Sequence, residues 1–137
     1  MRRLPLEEGR RWLEQAEIDL DWSRHLYREG AYHLVCFLAQ QVAEKALKGF
    51  LYAHGEEVVL GHSVARLCRE AAQHEPSLQE RCAHWAVLDT YYIPTRYPNG
   101  LPDDIPARVY DETTAQSALR LAEEVVAAIK TFFSEAE

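Results

Sequence analysis

The chain has little of what marks several familiar protein classes. Its 137 residues include only six glycines, six prolines and three cysteines, too few for a collagen-like, low-complexity or disulfide-stapled scaffold. No apolar run reaches the roughly 18 residues that a membrane span requires. The N-terminal segment Met1–Pro5 leads into polar sequence instead of the apolar stretch of a signal peptide. We therefore expect one cytoplasmic domain over residues 1–137.

Positive charge is also limited. Fifteen Lys and Arg face twenty-two Asp and Glu, which leaves a net charge of −7. Such a balance argues against a broad basic face for nucleic acid but allows a small local basic patch. Cys36, Cys68 and Cys82 form no C-x-x-C pair and are odd in number, so we predict reduced, mostly buried thiols.

The common motifs of metal, nucleotide and hydrolytic sites are missing. The sequence contains no E-x-x-H, H-E-x-x-H, P-loop, G-x-G-x-x-G or G-x-S-x-G pattern. The six histidines are scattered along the chain. We therefore assign no catalytic residue, no metal ligand and no cofactor.

Apolar residues recur every three or four positions in about five segments, the spacing of amphipathic helices. No segment alternates convincingly with period two. The pattern predicts an all-α, antiparallel up-and-down bundle of about five helices. The predicted limits are Leu6–Glu29, closed by Gly30; Ala31–Ala53; a short helix capped by Ser63; a fourth from the capping box Ser77-x-x-Glu80 to Tyr92; and a last from the capping box Thr113-x-x-Gln116 to the C-terminus.

A proline-rich connection over residues 94–110 joins the fourth and last predicted helices and holds four of the six prolines. Tyr97-Pro98-Asn99-Gly100 suits a type I turn. Loops of this length are often functional. Two interpretations stay open: the loop packs Tyr97 and Ile105 onto the bundle, or it contributes to a binding site.

The second helix carries a dense polar group. Helical spacing puts Gln41, Lys45 and Lys48 close together on one side. Two ammonium groups and an amide could hold a phosphate, particularly with His62 and Arg96 nearby. The alternative is a solvated face on which Glu44 neutralises its neighbours.

Residues 32–49, YHLVCFLAQQVAEKALKG, resemble the signature helix of the HEPN domain (higher eukaryotes and prokaryotes nucleotide-binding). Further landmarks follow the same order: Trp12, Ala16, Asp19-Leu20, His62-Ser63, Leu88-Asp89, Tyr91 and Arg96-Tyr97-Pro98. The resemblance implies a five-helix bundle that commonly dimerises and a nucleotide-binding or RNA-related role. It also implies a minimal nucleotidyltransferase as partner in a toxin–antitoxin pair.

Some branches of that family are metal-independent ribonucleases with an Arg-x(4–6)-His motif near the start of the last long helix. Here the last histidine is His84, upstream of that region, and the spacing at Arg28–His33 and Arg69–His74 lies on other helices. We therefore carry over no catalytic residue, and ribonuclease activity is the least favoured function.

Two functions are favoured over ribonuclease activity. In the first, Lys45 and Lys48 neutralise a phosphate, Gln41 supplies directional hydrogen bonds, and Arg96 with Tyr97 provides a planar charge and a stacking ring. In the second, the chain is a non-catalytic adaptor whose exposed aromatics, Tyr91 and Tyr92, form the homodimer or nucleotidyltransferase interface.

Overall fold

A computed structural model describes residues 3–136 of the chain. Its α-helices are α1 (Pro5–Arg28), α2 (Tyr32–Ala53), α3 (Val64–His74), α4 (Cys82–Trp85), α5 (Pro106–Val109) and α6 (Glu112–Ala136), and its 3-10 turns are Pro76–Arg81, Ala86–Tyr91 and Pro98–Gly100. Across these residues the chain forms no β-strand. The predicted all-α bundle is confirmed.

Helices α1 and α2 form the predicted antiparallel hairpin, and α2 is the central element because it packs against α1, α3 and α6. Gly30 closes α1 at a φ of 81°, a backbone conformation that glycine adopts without steric cost. Gly9 and Gly49 allow the two helices to approach closely. A Cβ atom placed on Gly9 would lie 2.5 Å from the carbonyl oxygen of Gly49.

The prediction of one continuous fourth helix is wrong. Residues 76–91 are a 3-10 turn, the single turn α4 and a second 3-10 turn. Ser77 donates its hydroxyl to the Glu75 carboxylate instead of forming the predicted capping box. The buried side chains Cys82, Trp85 and Leu88 recur every three residues, which is the period of a 3-10 helix.

The last helix begins differently from the prediction. Asp111 caps α6 and accepts hydrogen bonds from the backbone N–H and the hydroxyl of Thr114, both at 2.9 Å. These bonds hold the pKa of the Asp111 carboxyl below its ordinary value. The predicted capping box at Thr113 is therefore replaced by an aspartate cap. Ala118, Val125 and Ile129, which recur along α6 at helical spacing, lie in the core.

Helical spacing also predicts Leu34 and Trp22 on the apolar faces of the first two helices, but both side chains lie outside the core. Leu34 is 43% exposed and Trp22 is 57% exposed. All three cysteines are free and buried, as predicted, and burial raises the pKa of the Cys36 thiol to about 12. Within residues 3–136, every helix is too short or too polar to cross a bilayer.

Candidate functional site

The connection after the second 3-10 turn carries an exposed arginine surrounded by aromatic rings. The guanidinium of Arg96 lies 4.6 Å from the ring centre of Tyr92, 4.8 Å from that of Phe37 and 5.3 Å from that of Tyr97. Its Nε donates to the backbone carbonyl of Tyr92 at 2.8 Å. We call Phe37, Tyr92, Arg96 and Tyr97 the Arg96 cluster. Thr95 is buried, and its hydroxyl donates to the carbonyl of Tyr91 within the same turn.

His62 lies beside this cluster. Its ring stacks on Tyr92 with centroids 5.1 Å apart and an interplanar angle of 18°. Nδ1 of His62 is 3.3 Å from both carboxylate oxygens of Glu44. Because an ionised carboxylate only accepts hydrogen bonds, Nδ1 is the donor. In the neutral ring Nε2 is then an acceptor, and the side chain is 60% exposed.

Glu44 connects the surface histidine to a buried polar network. Its carboxylate pairs with Lys48 Nζ at 3.1 Å, and the side chains are 6% and 9% exposed, respectively. Lys48 also lies 5.7 Å from the ring centre of Trp12. Gln41 donates to Gln40 at 2.7 Å and to Glu44 at 3.5 Å. The network therefore extends from α1 through α2 to the Glu44–His62 contact.

Asp89 fixes the position of the loop that carries His62. Its carboxylate accepts from the backbone N–H groups of Val64 and Ala65 at 2.7 and 3.0 Å, and from the Ser63 hydroxyl at 3.1 Å. Ser63 in turn accepts from the N–H of Arg66 and is the predicted N-cap of α3. Because Asp89 belongs to the 3-10 turn that precedes Tyr92, this double cap joins the two segments that form the site.

The structure brings together part of the predicted site. His62, Arg96 and Tyr97 lie in or beside one cluster, and Gln41 reaches it through Glu44. Sequence reasoning missed Phe37 and the roles of Glu44 and Asp89. One available signal was the placement of Glu44 and Lys48 at i,i+4 within an otherwise apolar helix face.

Lys45 and Lys48 do not form one cationic site with Gln41, because each ammonium group pairs with a different carboxylate. Lys45 Nζ is 2.5 Å from the carboxylate of Asp19 on α1. Together with Trp12 and Gln15, Lys45 lines a groove of about 580 Å³, which we call the Lys45 groove. No residue of the Arg96 cluster lines this groove. Lys48 is buried against Glu44, so an anion could reach it only if that ion pair opened. Anion binding by both ammonium groups stays a prediction.

Three expectations from the sequence are corrected: the solvated face and the exposure of two tyrosines. The solvated-face interpretation is wrong, since Gln40, Glu44 and Lys48 are buried. Tyr91 is not an exposed interface residue: its ring packs against Tyr110 and the core, and burial raises its pKa. Tyr92 is half-buried between its neighbours.

The packing predicted for the proline-rich connection is also corrected. Tyr97 is 50% exposed and Ile105 is 37% exposed, while Thr95 and Pro106 are the buried anchors. The turn predicted at Tyr97–Gly100 is present, with the N–H of Gly100 donating to the Tyr97 carbonyl at 3.2 Å.

The fold and this cluster define a small helical-bundle protein with a polar site beside its second helix. The family model described as HEPN domain matches residues 10–132, and the chain belongs to that family. TT1696 from Thermus thermophilus is 40% identical with a TM-score of 0.84, covering 90% of this chain and 97% of its own. ST0689, an archaeal HEPN homologue, is 34% identical with a TM-score of 0.73, covering 97% and 99%, respectively. No curated protein matches the chain.

Proposed function

We propose that His62 and the Arg96 cluster bind a nucleotide, either free or as part of an RNA strand. The observation that carries this proposal is that the Arg96 guanidinium is exposed and only partly hydrogen-bonded. Its Nε is committed to the Tyr92 carbonyl, and its exposed guanidinium retains terminal N–H groups that suit the oxygens of a phosphate. Half-exposed Tyr97 offers a ring on which a base can stack.

The charges beneath the site support an anionic ligand. Lys48 neutralises the only carboxylate in contact with His62 among residues 3–136, so Glu44 does not cancel the charge of Arg96. Glu44 instead orients the imidazole, and Nε2 of His62 can contact a ligand hydroxyl or, when protonated, a phosphate. The net charge of −7 restricts attraction for anions to local sites such as this one.

Calorimetric titration with ATP, GTP and a short single-stranded RNA tests the proposal. We expect at least one of these ligands to bind the native chain, and Arg96→Ala to weaken that binding at least about tenfold, the effect of losing a charged hydrogen bond. The matched control is Arg11→Ala, which removes another exposed arginine, one that lines the Lys45 groove, and it should leave affinity unchanged. Lys45→Ala decides whether Lys45 also contacts the ligand. Absence of binding to the native chain would contradict the proposal.

We also propose that the chain acts in the cytoplasm as the HEPN member of a two-gene toxin–antitoxin pair with a minimal nucleotidyltransferase, and that it forms a homodimer. Family membership supports this role. So do the exposed apolar side chains Val87 and Ile93, near Tyr97 in sequence, each 46% exposed, because such side chains suit a protein interface. The same surface suits the alternative function of a non-catalytic adaptor.

Co-expression with a minimal nucleotidyltransferase from the same genome tests the partnership. We expect a complex in size-exclusion chromatography, and a dimer of the chain alone in analytical ultracentrifugation. Ile93→Asp should weaken one or both assemblies, whereas Val109→Asp, at a similarly exposed position on α5, should not. A monomer that forms no complex would contradict both assignments.

A further inference from the structure

Two buried thiols from different segments are in direct contact. Sγ of Cys82, the first residue of α4, lies 2.8 Å from Sγ of Cys68 on α3. Both thiols also lie within reach of the carbonyl of Leu78, at 3.5 and 3.7 Å. A disulfide bond is about 2.05 Å long, so the two sulfurs need to approach by only about 0.8 Å. Cys36 is absent from these contacts.

We infer that Cys68 and Cys82 are a reversible disulfide-forming pair that a low-molecular-weight disulfide oxidises. The contact supplies a preformed geometry, which two cysteines fourteen positions apart in sequence would rarely have by chance. The inference is independent of the proposed nucleotide site.

Access to the pair comes through the 3-10 turn at Pro76–Arg81. All of its residues except Leu78 are exposed, and short 3-10 segments have weaker hydrogen bonds than α-helices. This turn can therefore open locally without unfolding the bundle. Burial, followed by the contact with Cys82, raises the pKa of the Cys68 thiol, so the closed form keeps that thiol protonated and oxidation proceeds from the opened form.

The reaction is two thiol–disulfide exchanges. The Cys82 thiol loses its proton, and the resulting thiolate attacks one sulfur of the oxidant RSSR, forming a mixed disulfide and releasing RS⁻. The Cys68 thiolate then attacks Sγ of Cys82 and releases the second RS⁻. Two protein thiols and RSSR give one protein disulfide and two RSH, with two electrons passing to the small disulfide.

The bond would join two segments that support the candidate site. Helix α3 begins just after His62, and α4 leads through Asp89 to Tyr92. Closing a loop of about 15 residues stabilises the folded chain mainly by restricting the unfolded one. We therefore expect the oxidised form to melt roughly 10 °C higher than the reduced form.

Incubation of the full chain with oxidised glutathione, just below its unfolding transition, tests the inference. We expect a mass lower by two hydrogens, one thiol titratable in denaturant instead of three, and a Cys68–Cys82 crosslink in peptide mapping. Dithiothreitol should reverse all three. Cys36→Ala is the matched control and should form the same crosslink, whereas Cys82→Ala should form none.

Either of two results would overturn the inference: three thiols that persist after prolonged incubation, or a crosslink that contains Cys36 or joins two chains. Circular dichroism of each variant establishes that it is folded. If Cys82→Ala does not fold, the mapping of the native chain and of Cys36→Ala still decides the question.

Discussion

Glu44 lies beneath His62, with both of its carboxylate oxygens 3.3 Å from the ring Nδ1. The same carboxylate forms a buried ion pair with Lys48. A charged network inside the bundle therefore orients a histidine on its surface. The stability that the buried pair contributes can be tested separately from the ligand binding proposed for His62 and the Arg96 cluster.

Removal of Glu44 should destabilise the fold strongly. Glu44→Ala leaves the Lys48 ammonium buried without its counter-charge, a change that typically costs about 3–5 kcal/mol. Adding Lys48→Met removes the unpaired charge and should recover much of this loss. Urea unfolding measures both effects. The matched control is Glu70→Ala, which breaks the exposed i,i+4 pair with Arg66 and should cost no more than about 0.5 kcal/mol. Equal losses for Glu44→Ala and Glu70→Ala would contradict the buried-pair account.

The close approach of α1 and α2 should not tolerate a methyl group. A Cβ atom on Gly9 would lie 2.5 Å from a backbone oxygen and 2.8 Å from the Cβ of Ala53, so Gly9→Ala forces the helices apart. We expect a loss of about 1–3 kcal/mol, although alanine favours helix more than glycine does. Glu14→Ala, at an exposed position of the same helix, should change stability by less than about 0.5 kcal/mol. A stabilised Gly9→Ala variant would show that the helices are farther apart than described.

The cap formed by Asp89 should contribute more than a single helix cap. Asp89→Ala removes the acceptor of two backbone N–H groups and of the Ser63 hydroxyl, and we expect a loss of about 2–3 kcal/mol in chemical denaturation. Ser63→Ala removes only the bond to Arg66 N–H and the donor to Asp89, with an expected loss of about 1 kcal/mol. A larger loss of stability for Ser63→Ala than for Asp89→Ala would contradict the role assigned to Asp89.

The cap of α6 should make stability depend on pH in the acidic range. The Thr114 hydrogen bonds lower the pKa of Asp111 in the folded chain, so folding favours the carboxylate. This contribution is fully present above the ordinary aspartate pKa and is lost as the pH falls through the lowered value. Asp111→Asn keeps a capping acceptor that does not titrate. We expect the melting temperature of the native chain to fall more than that of this variant between about pH 5 and pH 2. If the melting temperatures of the native chain and of Asp111→Asn fell equally with pH, the capping role of the Asp111 carboxylate would be contradicted.

Periodicity predicted α1 and α6 because each buries one apolar face, and it predicted α2 although this central helix is buried on several sides. It failed at residues 76–91, where Pro76 begins a 3-10 turn and the core contacts recur every three residues. A single sequence does not distinguish that spacing from part of an α-helical stripe. Trp22 and Leu34 were assigned to the core because the pattern shows hydrophobicity but not the width of the buried face.

The candidate site was only partly predictable for a different reason. His62 is distant in sequence from Arg96 and Tyr97, and the sequence analysis allowed for His62 and Arg96 near the polar group of the second helix without local spacing that requires it. The sequence analysis offered Glu44 as a neutralising neighbour of the two lysines, but it predicted neither the burial of the Glu44–Lys48 pair nor the partner of Lys45. Asp19 comes from another helix, and the Glu44–Lys48 pair lies at an ordinary i,i+4 spacing that usually occurs on exposed surfaces.

NMR observation of the Arg96 side chain during a ligand titration shows whether the Arg96 cluster is the binding site. With the nucleotide or RNA that binds in calorimetry, we predict that the Arg96 Nε–H signal and the ring signals of Tyr92, Tyr97 and His62 shift together and saturate at the calorimetric affinity. The Trp12 indole signal, which reports on the Lys45 groove, should stay unchanged. A shift of the Trp12 signal with an unchanged Arg96 signal would contradict the account and place the ligand on the α1–α2 side of the bundle.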